Sequence, residues 1–235
     1  SSDLIMIFYF YFLPSVLSFN FHPFINPTIS ISNLALSNLA LKKVKQFDIN
    51  PNITRKAIHI ASAPTFISTW NLYNDNYPQF WASSVPLATS LYLITKKNFV
   101  SSVISRSGNT SEVLKGPLLY TFILSIMTLY YWTDNPIGLI TMSQLSFGDG
   151  FADLVGRRYG KTKWIYNKNK SLEGTLGFFI TSYIGTNIMI SLFNDIENTH
   201  NLFFISLICS LVETIPFIDD NISIPLAVIL ISNYL

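Results

Sequence analysis

Phe147-Gly148-Asp149-Gly150-Phe151-Ala152-Asp153-Leu154-Val155-Gly156-Arg157-Arg158 and, a little further on, Asn167-Lys168-Asn169-Lys170-Ser171-Leu172-Glu173-Gly174 form a polar island in an otherwise apolar chain. From Phe147 to Gly174 the island gathers six Lys/Arg, three carboxylates and the glycines Gly148, Gly150, Gly156, Gly160 and Gly174. The chain around it has 235 residues, 49% hydrophobic, 15% aromatic and only 12% charged. Soluble domains carry about 25% charged residues. An apolar protein has little structural use for such an island. A polyanion with its metal, such as a nucleoside triphosphate, gives it one.

Working outward, apolar segments run at about Leu4–Phe19, Ala57–Trp70, Gln79–Thr95, Pro117–Trp132, Ile137–Phe147, Leu172–Phe193, Leu202–Ile215 and Ile222–Leu235. Together with nineteen Phe and twelve Tyr they point to an all-α, multi-pass transmembrane bundle of about six to eight spans. The polar nucleotide-binding loop would lie on its cytoplasmic or stromal side. The competing reading is a soluble protein with a large buried core. Several segments are shorter than the roughly 20 residues of a crossing helix, so some extend into polar flanks or end as broken helices lining a cavity.

Charge distribution sets sidedness. All fifteen Lys/Arg fall within Lys42–Lys56, Lys96–Lys115 and Arg157–Lys170. The intervening loops carry Asp75, Asp134, Asp195 and Glu197 instead. If each segment crosses, this is the positive-inside pattern. The same alternation puts the link Pro216–Asn221 on the island's side, so that Asp219, Asp220 and Asn221 face the island from a distant part of the chain. A net charge of +2 is too small to argue for a nucleic-acid partner. The single Cys209 excludes an intrachain disulfide and a Cys-rich metal site. No Ser-His-Asp arrangement, HExxH or zinc spacing occurs, so proteolysis and zinc hydrolysis have no support. Residues 1–50 read as a targeting remnant or an extra span, and 51–235 as one membrane domain.

Asp149 and Asp153 stand four apart and share a helical face, which suits a hard cation such as Mg²⁺. The glycines permit the tight turns and close approach of a phosphate cradle. Lys161, Lys168 and Lys170 precede a helix that Ser171 would cap, with its amino end toward an anion. Basic loops are also generic topology determinants, a reading that suits Arg157 and Arg158 well. Glu213 ends an apolar run, and an ionisable group at membrane depth is functional by default. Asp219 and Asp220 would bind metal, abstract a proton or form a polar turn. Further candidates are Arg55, Lys56 and His59 at the head of one span, and Arg106 and Glu112 in a second basic loop.

The island, with Arg55-Lys56-Ala57-Ile58-His59, Ser105-Arg106-Ser107-Gly108, Glu112-Val113-Leu114-Lys115-Gly116-Pro117 and Asp219-Asp220-Asn221-Ile222-Ser223-Ile224-Pro225, resembles the polyprenol kinases. The likeness is strongest to the phytol and farnesol kinase branch and extends to dolichol kinases. It covers residues 50–235 in several motifs in order. Glu173-Gly174 departs from some phytol kinases and is nearer the dolichol kinases, which bears on substrate rather than on reaction type. The resemblance implies CTP as donor, an isoprenoid alcohol as acceptor, a site at 148–174 and a plastid membrane, with the endoplasmic reticulum as alternative. Mg²⁺ on Asp149 and Asp153, phosphates on Lys168 and Lys170, and an alcohol-activating Asp219 or Asp220 are then expected. The rivals are a CTP-dependent cytidylyltransferase or diacylglycerol kinase, and a transporter or lipid-binding protein.

Overall fold

The computed structural model of the chain describes residues 24–46, 51–74, 77–105, 109–193 and 201–232. The expected span Leu4–Phe19 and the candidate Arg106 lie outside the described residues. Among the described residues the regular structure is helical, apart from one isolated bridge between Lys163 and Ser171. In chain order the helices are α1 (Ile25–Gln46), α2 (Pro51–Ser68), α3 (Pro78–Thr95), α4 (Lys97–Ile104), α5 (Thr110–Val113) and α6 (Gly116–Tyr130). They continue with α7 (Pro136–Ser143), α8 (Gly150–Tyr159), α9 (Leu172–Ser191), α10 (Leu202–Val212) and α11 (Asp220–Ser232).

Local chemistry explains where several of these begin. Proline occupies the first turn of α3, α6 and α7, where its missing N–H leaves no intrahelical bond unmade. Asn135 caps α7 by accepting from the Ile137 N–H, and Ser171 caps α9 by accepting from the Gly174 N–H at 3.1 Å.

α7 and α8 are joined without a break by a π-helical turn, Gln144–Asp149. Pro136 to Tyr159 is therefore one rod, about 35 Å long at 1.5 Å per residue. The first half of the polar island is thus the continuation of an apolar helix rather than a loop, and the chain leaves the helix only over 160–171. The π-turn adds a residue to the helix and turns the following face by about 100°. It coincides with a close approach, since a Cβ on Gly148 would lie 2.5 Å from the Phe178 ring of α9.

The core gathers around this rod. Leu139, Ile140, Met142 and Leu145 are buried against Phe178 of α9, Ile205 of α10 and Ile224 and Val228 of α11. Trp70 stacks on Trp132 at 4.5 Å beside it. Many buried side chains are nonetheless small and polar, including Thr128, Thr141, Ser143, Ser182, Thr186 and Ser206. Gln144, fully buried in the π-turn, donates to Thr186 and to Ser206 at 2.9 Å.

Large apolar side chains face outward instead. Leu172, Leu176, Ile180, Ile184 and Ile188 recur every four residues along the exposed face of α9. α1 follows the same plan, with Asn26, Ser30 and Asn33 buried and Ile31 and Leu39 exposed. Ser30 donates to the Trp81 carbonyl of α3, and Asn33 donates to Thr69. The segment read as separate from the folded domain is thus helical from Ile25 and packs on α3.

Thr110–Tyr130 is the one stretch among the described residues long and apolar enough to cross a bilayer by length and composition. The other expected spans within the described residues fall on helices that are shorter, or diluted by the polar residues they turn inward.

Candidate functional site

A cavity of about 910 Å³ opens at the end of the bundle where α2, α8, the 160–171 loop and the α10–α11 link meet. Two groups of charges line it. On one side Lys56 of α2 puts its Nζ 3.4 Å from Asp149 and 3.6 Å from Asp153. His59, one turn on, places Nε2 3.1 Å from the same Asp149 oxygen, and Arg157 bonds Asp153 at 2.8 Å. The His59 ring packs 4.3 Å from that of Tyr120, whose hydroxyl donates to the His59 carbonyl. Burial alone would raise the Asp149 carboxyl, but Lys56, His59 and Lys170 outweigh it and hold the group well below its usual range. Asp153 is lowered too, with burial opposed by Lys56 and Arg157.

On the other side the 160–171 loop is folded back on itself and pinned to the α10–α11 link. Leu172 N–H donates to the Thr162 carbonyl, and Trp164 N–H to that of Lys170. Asn167 is buried and donates to the Thr214 carbonyl at 2.9 Å, while the Tyr166 and Thr214 hydroxyls meet at 2.6 Å. This latch sets Lys170 between Glu213 and Asp220, bonded to the first and 2.9 Å from the second. Burial opposes the Lys170 charge, yet Glu213, Asp220 and Asp149 raise its pKa. Burial, helped by Asp149, raises the Asp220 carboxyl against the pull of Lys170.

The two sides meet. One oxygen each of Asp149, Glu213 and Asp220 lies within 4.8 Å of the others. Three hard oxygen donors suit Mg²⁺, which takes one or two carboxylates and fills its other positions with water and phosphate. The cluster joins carboxylates from a helix interior, a helix end and a helix start that are far apart in sequence.

Several residues singled out from sequence line the cavity: Arg55, Lys56, Glu112, Asp149, Asp153, Gly156, Gly160, Lys170, Ser171, Gly174, Glu213 and Asp219-Asp220-Asn221. Others have different surroundings. Lys161 and Lys168 are exposed and outside the lining. Glu173 accepts from the Thr162 N–H at 3.0 Å and so closes the loop. Asp219 is exposed and accepts from both nitrogens of Asn221, a polar turn that starts α11. Asp153 faces Lys56 and Arg157, while Asp149 is the member of the expected metal pair that meets Glu213 and Asp220. The glycines serve close packing within the chain. A Cβ on Gly174 would stand 3.1 Å from the Ala152 carbonyl, and one on Gly150 2.3 Å from Ile60.

Sequence reading missed the Asn167–Thr214 latch, because Thr214 is one hydroxyl among many. It also missed the π-turn, for which Gln144 and Ser146 inside an apolar run were the available signal. Ser146 donates to the Ile60 carbonyl at 2.6 Å and ties the turn to α2.

A helical bundle with a polar cavity that gathers an acidic cluster defines the class of protein in general terms, and comparison with known proteins narrows it. Residues 2–215 match the model of the Cytidylyltransferase family. The chain is 36% identical over 203 residues to the probable phytol kinase, chloroplastic, of Triticum aestivum, covering 78% of this chain and 67% of that protein. It is 35% identical over 225 residues to the probable phytol kinase 1, chloroplastic, of Oryza sativa subsp. japonica, covering 85% and 71%. Phytol kinase 1, chloroplastic, of Arabidopsis thaliana is 31% identical over 200 residues, covering 77% and 66%. No solved structure matches the chain. The chain belongs to the polyprenol kinase group of this family, alongside the phytol kinases.

Proposed function

We propose that this protein is a multi-pass plastid-membrane kinase that moves the γ-phosphate of CTP to an isoprenoid alcohol, phytol foremost. The observation that carries the reading is Lys170 clasped by Glu213 and Asp220, with Asp149 beside them, at one end of a bundle whose outer faces are apolar. It gathers cations for a triphosphate and carboxylates for its metal at the edge of a lipid-facing surface. The inward Ser, Thr and Gln and outward Leu, Ile and Phe are the arrangement expected of helices that contact lipid, and they support several crossings beyond Thr110–Tyr130. The chloroplastic relatives support the plastid.

In this mechanism Lys170, Lys56, Arg157 and Lys163 neutralise the phosphate oxygens, which is most of what phosphoryl transfer asks of a protein. Asp149 and Glu213 would hold Mg²⁺, which when bound neutralises charge on the β- and γ-phosphates. Asp153 keeps Lys56 and Arg157 oriented. Asp220 accepts the proton of the alcohol. The alcohol oxygen bonds to the γ-phosphorus as the bond to the bridging oxygen breaks, and CDP leaves with the electron pair.

Labelled CTP and phytol supplied to membranes containing the protein should yield phytyl phosphate and CDP, and chelation of Mg²⁺ should stop the reaction. A CDP-lipid with pyrophosphate would mean cytidylyl transfer instead, the activity after which the matching family is described. Asp220→Asn should lower the rate on the order of 100-fold, as for loss of a positioned acid–base group. Asp219→Asn, which keeps the turn-forming oxygen, should retain most activity. The reverse order would move the proton acceptor to Asp219.

A further inference from the structure

The cavity is walled by charged, amide and hydroxyl groups and glycine backbone, with few exceptions. Besides Ala152, its apolar side chains are Ile215, Pro216 and Ile218, all from the α10–α11 link. This link is bracketed by Glu213 and Asp220, the two carboxylates that hold Lys170. An apolar wall beside a phosphate-handling centre offers nothing to a triphosphate, but it suits the carbon chain of the other substrate.

Ile215 also ends a stripe. Phe204, Ile208 and Leu211 recur at helical spacing down α10, and Ile215 follows just past its end, each between 36% and 47% exposed. At 1.5 Å per residue the helical part of the stripe, from Phe204 to Leu211, is about 10 Å long. Ile222, Leu226 and Leu230 make a second exposed stripe on α11, which packs against α10. Both stripes start at the link, so the apolar outer surface is continuous with the polar cavity there.

We propose that the α10–α11 link is the entry for the acceptor: the prenyl chain lies along the exposed face of α10, passes Ile215 and Ile218, and presents its hydroxyl between Lys170 and Asp220. This rests on the reading of the protein as a prenyl-alcohol kinase, and adds to it a subsite and a source of chain-length selectivity. A long alcohol gains contact along α10 that a short one cannot reach.

A phytol analogue with a photoreactive diazirine at the far end of its chain, irradiated in membranes with the wild-type protein, should label α10 near Phe204–Leu211. Unlabelled phytol should compete and CTP should not. In steady-state assays Leu211→Ser and Ile215→Ser should raise KM for phytol about tenfold or more, with KM for CTP unchanged and a much smaller effect on the short alcohol prenol. Leu91→Ser, on the exposed face of α3, should leave KM for phytol as it is. Label elsewhere in a protein that phosphorylates phytol, or variants that lose phytol and prenol alike, would overturn this inference alone. A wild-type protein that phosphorylates no prenyl alcohol would overturn the kinase reading, and the inference with it.

Discussion

Lys170 and Arg157 both pair with carboxylates at the cavity, but their surroundings make the pairs unequal. The Glu213 side chain is 3% exposed and Lys170 itself only 27%, whereas Arg157 is 49% exposed. Removing one partner of a buried pair leaves an uncompensated charge, at a cost on the order of 3 kcal/mol. An exposed i,i+4 pair is worth only about 0.5 kcal/mol. Lys170→Met should therefore lower the melting temperature clearly and Arg157→Gln hardly at all, as thermal unfolding in detergent would read. Asp149 allows a pH test. Its pKa in the folded protein is depressed, so its ionisation stabilises the fold above the ordinary aspartate value of about 4. That contribution fades as pH falls through the lower folded value. Asp149→Asn in EDTA should melt well below wild type at neutral pH, and the gap should narrow as pH falls below about 4. A gap that stays constant as pH falls below about 4 would assign the stabilisation to something other than charge.

The central element is the rod from Pro136 to Tyr159 with its π-turn, and Gly148 is the position that limits it. A methyl group there would meet the Phe178 ring at 2.5 Å, and Phe178 is fully buried in the core. Gly148→Ala should cost about 1–3 kcal/mol through overpacking. Because Asp149 is the next residue, the displacement should also weaken CTP binding, seen as a raised KM for CTP in the surviving folded protein. An unchanged melting temperature would mean that α9 yields at no cost. The start of α9 was legible in the sequence, since Ser171 precedes an apolar run and caps it as expected. The π-turn was not, because an inserted helical residue leaves hydrophobicity almost unchanged.

For the whole molecule the governing fact is how polar and apolar side chains are shared between the interior and the outer faces. Beside the apolar core around α7, many serine, threonine, asparagine and glutamine side chains are also buried, while many other leucine, isoleucine and phenylalanine side chains are exposed. Exposed leucine, isoleucine and phenylalanine recur along α1, α3, α9, α10 and α11, and contiguous apolar surface of this kind marks a contact with membrane or partner. The protein should therefore sediment with membranes, resist alkaline carbonate extraction and enter solution only with detergent. Release by carbonate would remove the membrane part of the proposed function. The expectation of many crossings came from composition, and among the described residues only Thr110–Tyr130 is long and apolar enough to cross by length and composition. Helices that place polar groups inward have lower mean hydropathy although their outer faces are apolar.

The sequence by itself determined the helical class, the polar island as the candidate site, and the end of the bundle at which Asp219 and Asp220 stand. Each of these depends on composition or on the order of charges along the chain, which needs no coordinates. Tertiary structure alone decided which carboxylates meet. Asp149, Glu213 and Asp220 converge because Asn167 and Tyr166 latch the loop to Thr214 and because the π-turn ties to α2. It also separated Asp220, held by Lys170, from the adjacent Asp219, which serves a turn. Neighbouring residues of one type look alike in sequence, and only the direction of each side chain in the packed bundle tells them apart.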